Sequence, residues 1–244
     1  MEDSEEALRA DISTGCRILA HRGLAHDIIG HISARGAEPG TIWVRCRGAN
    51  ESGLLRTQPD AVRLVSTEDP GDPGEGYDLP LELPIHTSVY RARPDVLAVA
   101  HAHAPYAVLC SVAGIPLRPV YGSYESDGML LAYDGVPTYP RSRHVSDNVV
   151  GREMADCLGQ HRACLLRGHG IVTTGRSVAE AVLTAIRLER LAWFTWQLSL
   201  VGATDAADKL EQDDIDFFAR PERVDIPEAM ARRWASYIAD LENG

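Results

Sequence analysis

The sequence predicts a mixed α/β domain in which a central sheet is covered by helices. Two observations lead there. Short apolar runs that read as buried strands, at 97–103 and 163–167, alternate with longer segments whose apolar residues recur at helical spacing. In addition, the 244 residues contain no internal repeat, no low-complexity tract and no linker-like stretch, so residues 1–244 are expected to form one domain that ends in C-terminal helices over about 203–244.

Taken in order, residues 5–24 place Leu8, Ile12, Cys16 and Leu19 on one helical face, with Ser4 as the expected N-cap and Gly23 as the stop. Gly30-His31-Ile32-Ser33 leads into an irregular stretch up to Gly40. The β-branched and aromatic run at 41–46 predicts a strand, 48–53 a loop, and 61–65 a short strand. Residues 68–80 are rich in glycine and proline and are expected to be loop. A helix is predicted over 83–93, with Pro84 tolerated in its first turn. Pro105 opens a helix to about 113, and Gly114-Ile115-Pro116 turns the chain. Residues 118–145 read as loops and short strands. Ser146 is the expected cap of a helix to 158, and Ser177 with Glu180 forms a capping box for a long helix to about 200. Residues 203–226 read as polar and irregular, and a last helix spans 227–240. Trp193, Trp196 and Trp234 are assigned to the core.

Composition narrows the partners. Apolar residues at 45% and charged residues at 24% are ordinary for a globular chain. A formal charge of −11 argues against nucleic acid and anionic membrane surfaces. The five cysteines are scattered without a C-x-x-C, which reads as reduced thiols. The acidic start lacks the apolar region of a signal peptide, and no apolar run reaches the length of a membrane span. A cytoplasmic location is expected.

Chemistry concentrates at His101-Ala102-His103. Residues i and i+2 of a strand face the same side, so two imidazoles converge on one point and can share a divalent metal. His169, between Gly168 and Gly170 at the end of another apolar run, is the candidate for a further ligand.

Glu82, separated by eighteen intervening residues from His101-x-His103, and followed downstream by Arg167-Gly168-His169-Gly170, resembles the class II aldolase/adducin family. Ile85-His86, Tyr90, Arg93-Pro94-Asp95-Val96 and Gly30-His31-Ile32-Ser33 extend the resemblance over roughly residues 8–200. It implies a three-layer α/β/α sandwich with a mostly antiparallel sheet and a homotetramer whose active sites lie near subunit boundaries. It also implies a divalent metal, usually zinc and sometimes manganese, held by His101, His103 and His169. Glu82 matches the family's acidic residue, which serves as a resting-state metal ligand or as the catalytic acid/base. Tyr121 lies one residue from the place of the family's catalytic tyrosine.

The sugar-phosphate aldolases of the family hold phosphate with a Gly-Asn-x-Ser element and a Ser-Ser pair. This chain has His31 in place of the asparagine and Pro80-Leu81 before Glu82. In exchange it offers Arg47, Arg118, Tyr124, Arg141, Arg143 and His144, and arginine suits a planar carboxylate. That set resembles the family's decarboxylases of hydroxylated aromatic or pyridine dicarboxylates. His31, Arg47, Arg143 and His144 are the expected substrate contacts, and the substrate is a small carboxylate. An aldolase acting on a non-phosphorylated hydroxy-carbonyl compound and a non-catalytic adducin-like module are the alternatives.

Overall fold

The computed structural model describes residues 2–49, 52–74, 76–203, 210–220 and 227–243. Its centre is a seven-stranded sheet in the order β4-β2-β1-β6-β9-β8-β7. The strands are β1 (His31–Arg35), β2 (Thr41–Arg45), β4 (Val62–Ser66), β6 (Ala98–Ala102), β7 (Thr138–Tyr139), β8 (Ala163–Leu166) and β9 (Gly170–Gly175). Every neighbouring pair is antiparallel except β7 with β8. Two residues each of β3 (Arg47–Gly48) and β5 (Tyr77–Asp78) form a separate ribbon.

Helices cover both faces. On one side lie α1 (Glu2–His21) and α6 (Val178–Leu200), with α3 (Pro105–Ala113), α4 (Ser126–Tyr133) and α8 (Pro227–Asn243) around them. On the other lie α2 (Leu83–Ala92) and α5 (Asn148–Leu158). The expected layered architecture with a mostly antiparallel sheet is what the chain adopts.

Strand β6 is buried on both faces, and its alternation decides what each layer receives. Ala98, Ala100 and Ala102 join the core beneath α1 and α6, whereas Val99 joins the core beneath α2 and α5. His101 shares the parity of Val99 and so stands on the α2 side. Small residues on the first face let the long α6 pack directly on the sheet.

Several local expectations are corrected. His31 begins a regular strand rather than an irregular stretch, because it pairs in register with His101 across β1 and β6. Ser4 lies inside α1, whose first residue is Glu2. Asp147, not Ser146, caps α5, its carboxylate accepting from the amides of Val149 and Val150 at 2.9 Å each. Helix α4 and a short α7 (Gln212–Phe218) occupy stretches expected to be irregular. Ser177 caps α6 as expected, its hydroxyl accepting from the Glu180 amide at 3.1 Å. Trp196 and Trp234 pack against the core, and Trp193 is 39% exposed. The loop expected at 48–53 includes positions 50 and 51, and the stretch expected to be irregular at 203–226 includes 204–209 and 221–226; these lie outside the described residues.

The turn from β8 to β9 brings backbone unusually close to β6. Gly168 adopts φ 65°, a left-handed value that favours glycine, and the His169 amide closes the turn onto the Leu166 carbonyl at 3.0 Å. A Cβ on Gly170 would run into the Ala102 carbonyl and the His103 ring. Gly170→Ala is therefore expected to cost about 1–3 kcal/mol through forced backbone shifts. A fall in the urea midpoint at unchanged m-value would show it.

Candidate metal centre

Four predicted side chains meet at the end of β6. Ligand-capable atoms of Glu82, His101, His103 and His169 all lie within 4.8 Å of one another. Three separate stretches of chain deliver them. His101 is in β6 and His103 one residue beyond its end, the Gly168 turn swings His169 back over them, and Glu82 stands at the N-cap position of α2. A carboxylate there ordinarily accepts amides of its own helix. Glu82 makes no such bond. Its Oε1 accepts instead from the Val145 amide at 2.9 Å, and Oε2 lies 3.4 Å from His101 Nε2 and 3.3 Å from His169 Nε2.

The donor set suits a cation. His101 Nδ1 lies 3.0 Å from the Ile171 carbonyl, which fixes the proton on that nitrogen and leaves the Nε2 lone pair facing inward. His103 Nε2 is 3.2 Å from His101 Nε2. Both nitrogens of His169 are buried without a hydrogen-bond partner among the described residues, an arrangement a coordinated ion would relieve.

Electrostatics point the same way. Burial, then the neighbouring His101 and His169, lowers the His103 pKa to about 3, so its imidazole is neutral and ready to ligate. Burial alone would push the Glu82 carboxyl up. The imidazoles of His101 and His169 beside it outweigh burial and hold it well below the usual carboxylate range.

Two expected substrate contacts also reach this place. His31 packs its ring 5.0 Å from that of His101. His144 is mostly exposed, with Nδ1 3.5 Å from Glu82 Oε1 and its ring 5.7 Å from that of His169. The other three predicted residues make contacts outside this four-residue cluster. Arg143 is exposed and pairs with Asp147 at 3.2 Å. Arg47 lies in the β3–β5 ribbon opposite Asp78. Tyr121 belongs to an aromatic cluster with Tyr124 and Phe194, its hydroxyl buried without a hydrogen-bond partner among the described residues. Burial first, then Glu125, raises the Tyr121 pKa.

Sequence reasoning assigned no role to His86 or Arg45. His86 is fully buried with Nε2 2.6 Å from His31 Nδ1. Its spacing was a usable signal, since Glu82, His86 and Tyr90 recur every four residues along one face of α2. Arg45 is 2% exposed, donates to the Ile28 carbonyl at 3.2 Å, and is close enough to His31 to disfavour its charged form. It also lines a cavity of about 400 Å³ with Gly48, Arg56, Gln58 and Tyr77. A buried arginine leaves no mark in a strand-like run, so composition could not expose it.

Comparison with known proteins identifies the family. The profile of the family described as Class II Aldolase and Adducin N-terminal domain matches residues 10–196. The chain is 39% identical over 225 residues to the 3,4-dihydroxyphthalate decarboxylase of Rhodococcus jostii, covering 91% of this chain and 90% of that protein. It is 44% identical over 198 residues to the protein of the same name from Arthrobacter keyseri, covering 80% and 79%. Among solved structures, an aldolase II superfamily protein from Pseudomonas syringae matches with TM-score 0.78 at 20% identity, over 98% of this chain and 93% of that one. The L-fuculose-1-phosphate aldolase of Thermus thermophilus matches with TM-score 0.66 at 26% identity, over 80% and 95%. A profile that spans most of the chain, and relatives this similar over nearly its full length, place it in the Class II Aldolase and Adducin N-terminal domain family.

Proposed function

We propose that this protein is a divalent-metal-dependent lyase that decarboxylates a hydroxylated aromatic dicarboxylate, 3,4-dihydroxyphthalate or a near analogue. The observation that carries the reading is the convergence of Glu82, His101, His103 and His169 on one point, in a chain so similar to two decarboxylases of that substrate. His101, His103 and His169 hold the metal, with Glu82 beside them. Zinc is the preferred ion for a nitrogen-rich set and manganese the alternative. A bound divalent ion supplies Lewis acidity to adjacent substrate oxygens.

The chain's own residues do the rest. Glu82 takes the proton of the ring hydroxyl next to the departing carboxylate and delivers it to the carbon that carboxylate leaves, as the carbon–carbon bond electrons return to the ring. The products are carbon dioxide and the ring carrying hydrogen at that carbon, whose phenolate is reprotonated from water. His31 and His144 contact the substrate oxygens, and Arg45, Arg47 and Arg143 attract its carboxylates. We assign Tyr121 to proton transfer from a neighbouring copy in a homotetramer, because within one chain it packs with Tyr124 and Phe194 and is not part of the cluster around Glu82. A cytoplasmic location suits the scattered cysteines, which read as reduced thiols.

Metal analysis combined with a carbon dioxide assay on 3,4-dihydroxyphthalate tests the reading. About one zinc or manganese per chain with stoichiometric carbon dioxide is the expected result. Aldehyde release from a hydroxy-carbonyl substrate, without carbon dioxide, would move the protein to the aldolase branch. Absence of both metal and turnover would favour the adducin-like module.

A further inference from the structure

Behind His31 runs a continuous buried chain of hydrogen bonds. His31 Nδ1 lies 2.6 Å from His86 Nε2, His86 Nδ1 lies 2.6 Å from Ser33 Oγ, and Ser33 Oγ lies 2.9 Å from the Tyr90 hydroxyl. All four residues are buried, His86 and Ser33 completely. Both rings are buried and share a nitrogen-to-nitrogen hydrogen bond, and among the described residues neither pairs with a carboxylate; an unpaired buried charge is costly, so each ring is neutral and carries one proton.

The direction of those protons follows from counting donors and acceptors. Each neutral imidazole has one N–H and one lone pair, and His86 uses both nitrogens. Suppose first that His31 donates to His86. His86 then donates through Nδ1 to Ser33, and the two hydroxyl protons of Ser33 and Tyr90 have only one acceptor between them. One buried O–H is then stranded without an acceptor and bears the full penalty of its desolvation. In the opposite sense Tyr90 donates to Ser33, Ser33 donates to His86 Nδ1, and His86 Nε2–H donates to His31 Nδ1. Every hydroxyl proton along the chain is then used, and the His31 proton is forced onto Nε2.

That nitrogen lies on the ring edge away from His86. His31 itself is paired across the sheet with His101 and stands on the same side of it. We infer that His31 meets the substrate as an Nε2–H hydrogen-bond donor, fixed in that tautomer by the one-way chain Tyr90–Ser33–His86. His31 is thereby ruled out as a further metal ligand or a resting proton acceptor through Nε2. A fixed donor selects for an oxygen that accepts, such as a carboxylate or phenolate, and His86, Ser33 and Tyr90 are positioning residues that act through it. The substrate half of this inference rests on the decarboxylase reading; the tautomer half does not.

Nitrogen-15 NMR of histidine-labelled, zinc-loaded protein reads the tautomers directly, with signals assigned by their loss in His31→Gln and His86→Gln. The expected result is Nε2–H on both rings. An Nδ1–H signal for His31 would overturn the inference, whatever the enzyme's activity. In Ser33→Ala the His86 tautomer is no longer imposed. The His31 signal should then divide between two forms, with kcat for carbon dioxide release down by about ten- to a hundredfold at unchanged metal content. A single unaltered His31 signal in that variant would remove the chain from the account. Titration with 3,4-dihydroxybenzoate, a product-like probe, should shift the His31 Nε2–H resonance, and an unmoved resonance would refute the donor role. Expected tautomers in a protein that releases no carbon dioxide would sink the decarboxylase reading alone.

Discussion

Replacing His103 with alanine is expected to remove bound divalent metal and lower kcat/KM by well over a hundredfold. About a hundredfold is the upper range for losing a partner that merely orients a metal ligand, and a ligand itself should exceed it. The fold should survive, because His103 lies just past the end of β6 and belongs to neither hydrophobic core. Metal analysis of the purified variant, read beside its far-ultraviolet circular dichroism, separates these effects. Stoichiometric metal with full turnover would contradict the ligand assignment. Metal loss accompanied by unfolding would mean that the ion is a structural staple.

Glu82→Gln should behave differently. The three imidazoles remain, so metal content is expected to stay near one per chain. The carboxylate that carries the proton is gone, and general acid–base catalysis is worth about 10²–10⁴-fold. A kcat lowered by that factor with a little-changed KM is therefore expected. The amide keeps an oxygen able to accept from Val145, so the loop carrying His144 should hold its place. If metal and kcat fall together, Glu82 is chiefly a ligand.

Much of this centre was legible in the sequence because its chemistry is local in pattern. The His101-x-His103 pair needs only strand periodicity, and the glycines around His169 announce a tight turn. Glu82 was harder, since a glutamate at a helix start ordinarily serves the helix, and only its spacing to His101 marked it. The strand at 31–35 was missed because it carries histidine, serine and arginine on one face and only Ile32 and Ala34 on the other. Tertiary pairing with β6 and hydrogen bonding to α2 make that polar face a strand. Arg45 and His86 were missed for a related reason: a polar group's burial depends on partners far along the chain. Arg47 and Arg143 show the converse, since charge can be counted in a sequence but where it points cannot.

Strand β6 carries alanine methyl groups on one face and Val99 with the His101 imidazole on the other, and this asymmetry bears on how the chain finds its fold. A slip of one residue would press His101 against α6 and turn alanines toward Glu82. Such a state would strand polar ring nitrogens in an apolar layer while emptying the layer that needs them. The side chains that carry out the chemistry thus also serve as a proofreading device for strand alignment. Variants that replace them with alanine should be read with that second duty in mind, since they remove a penalty on wrong pairings as well as a ligand.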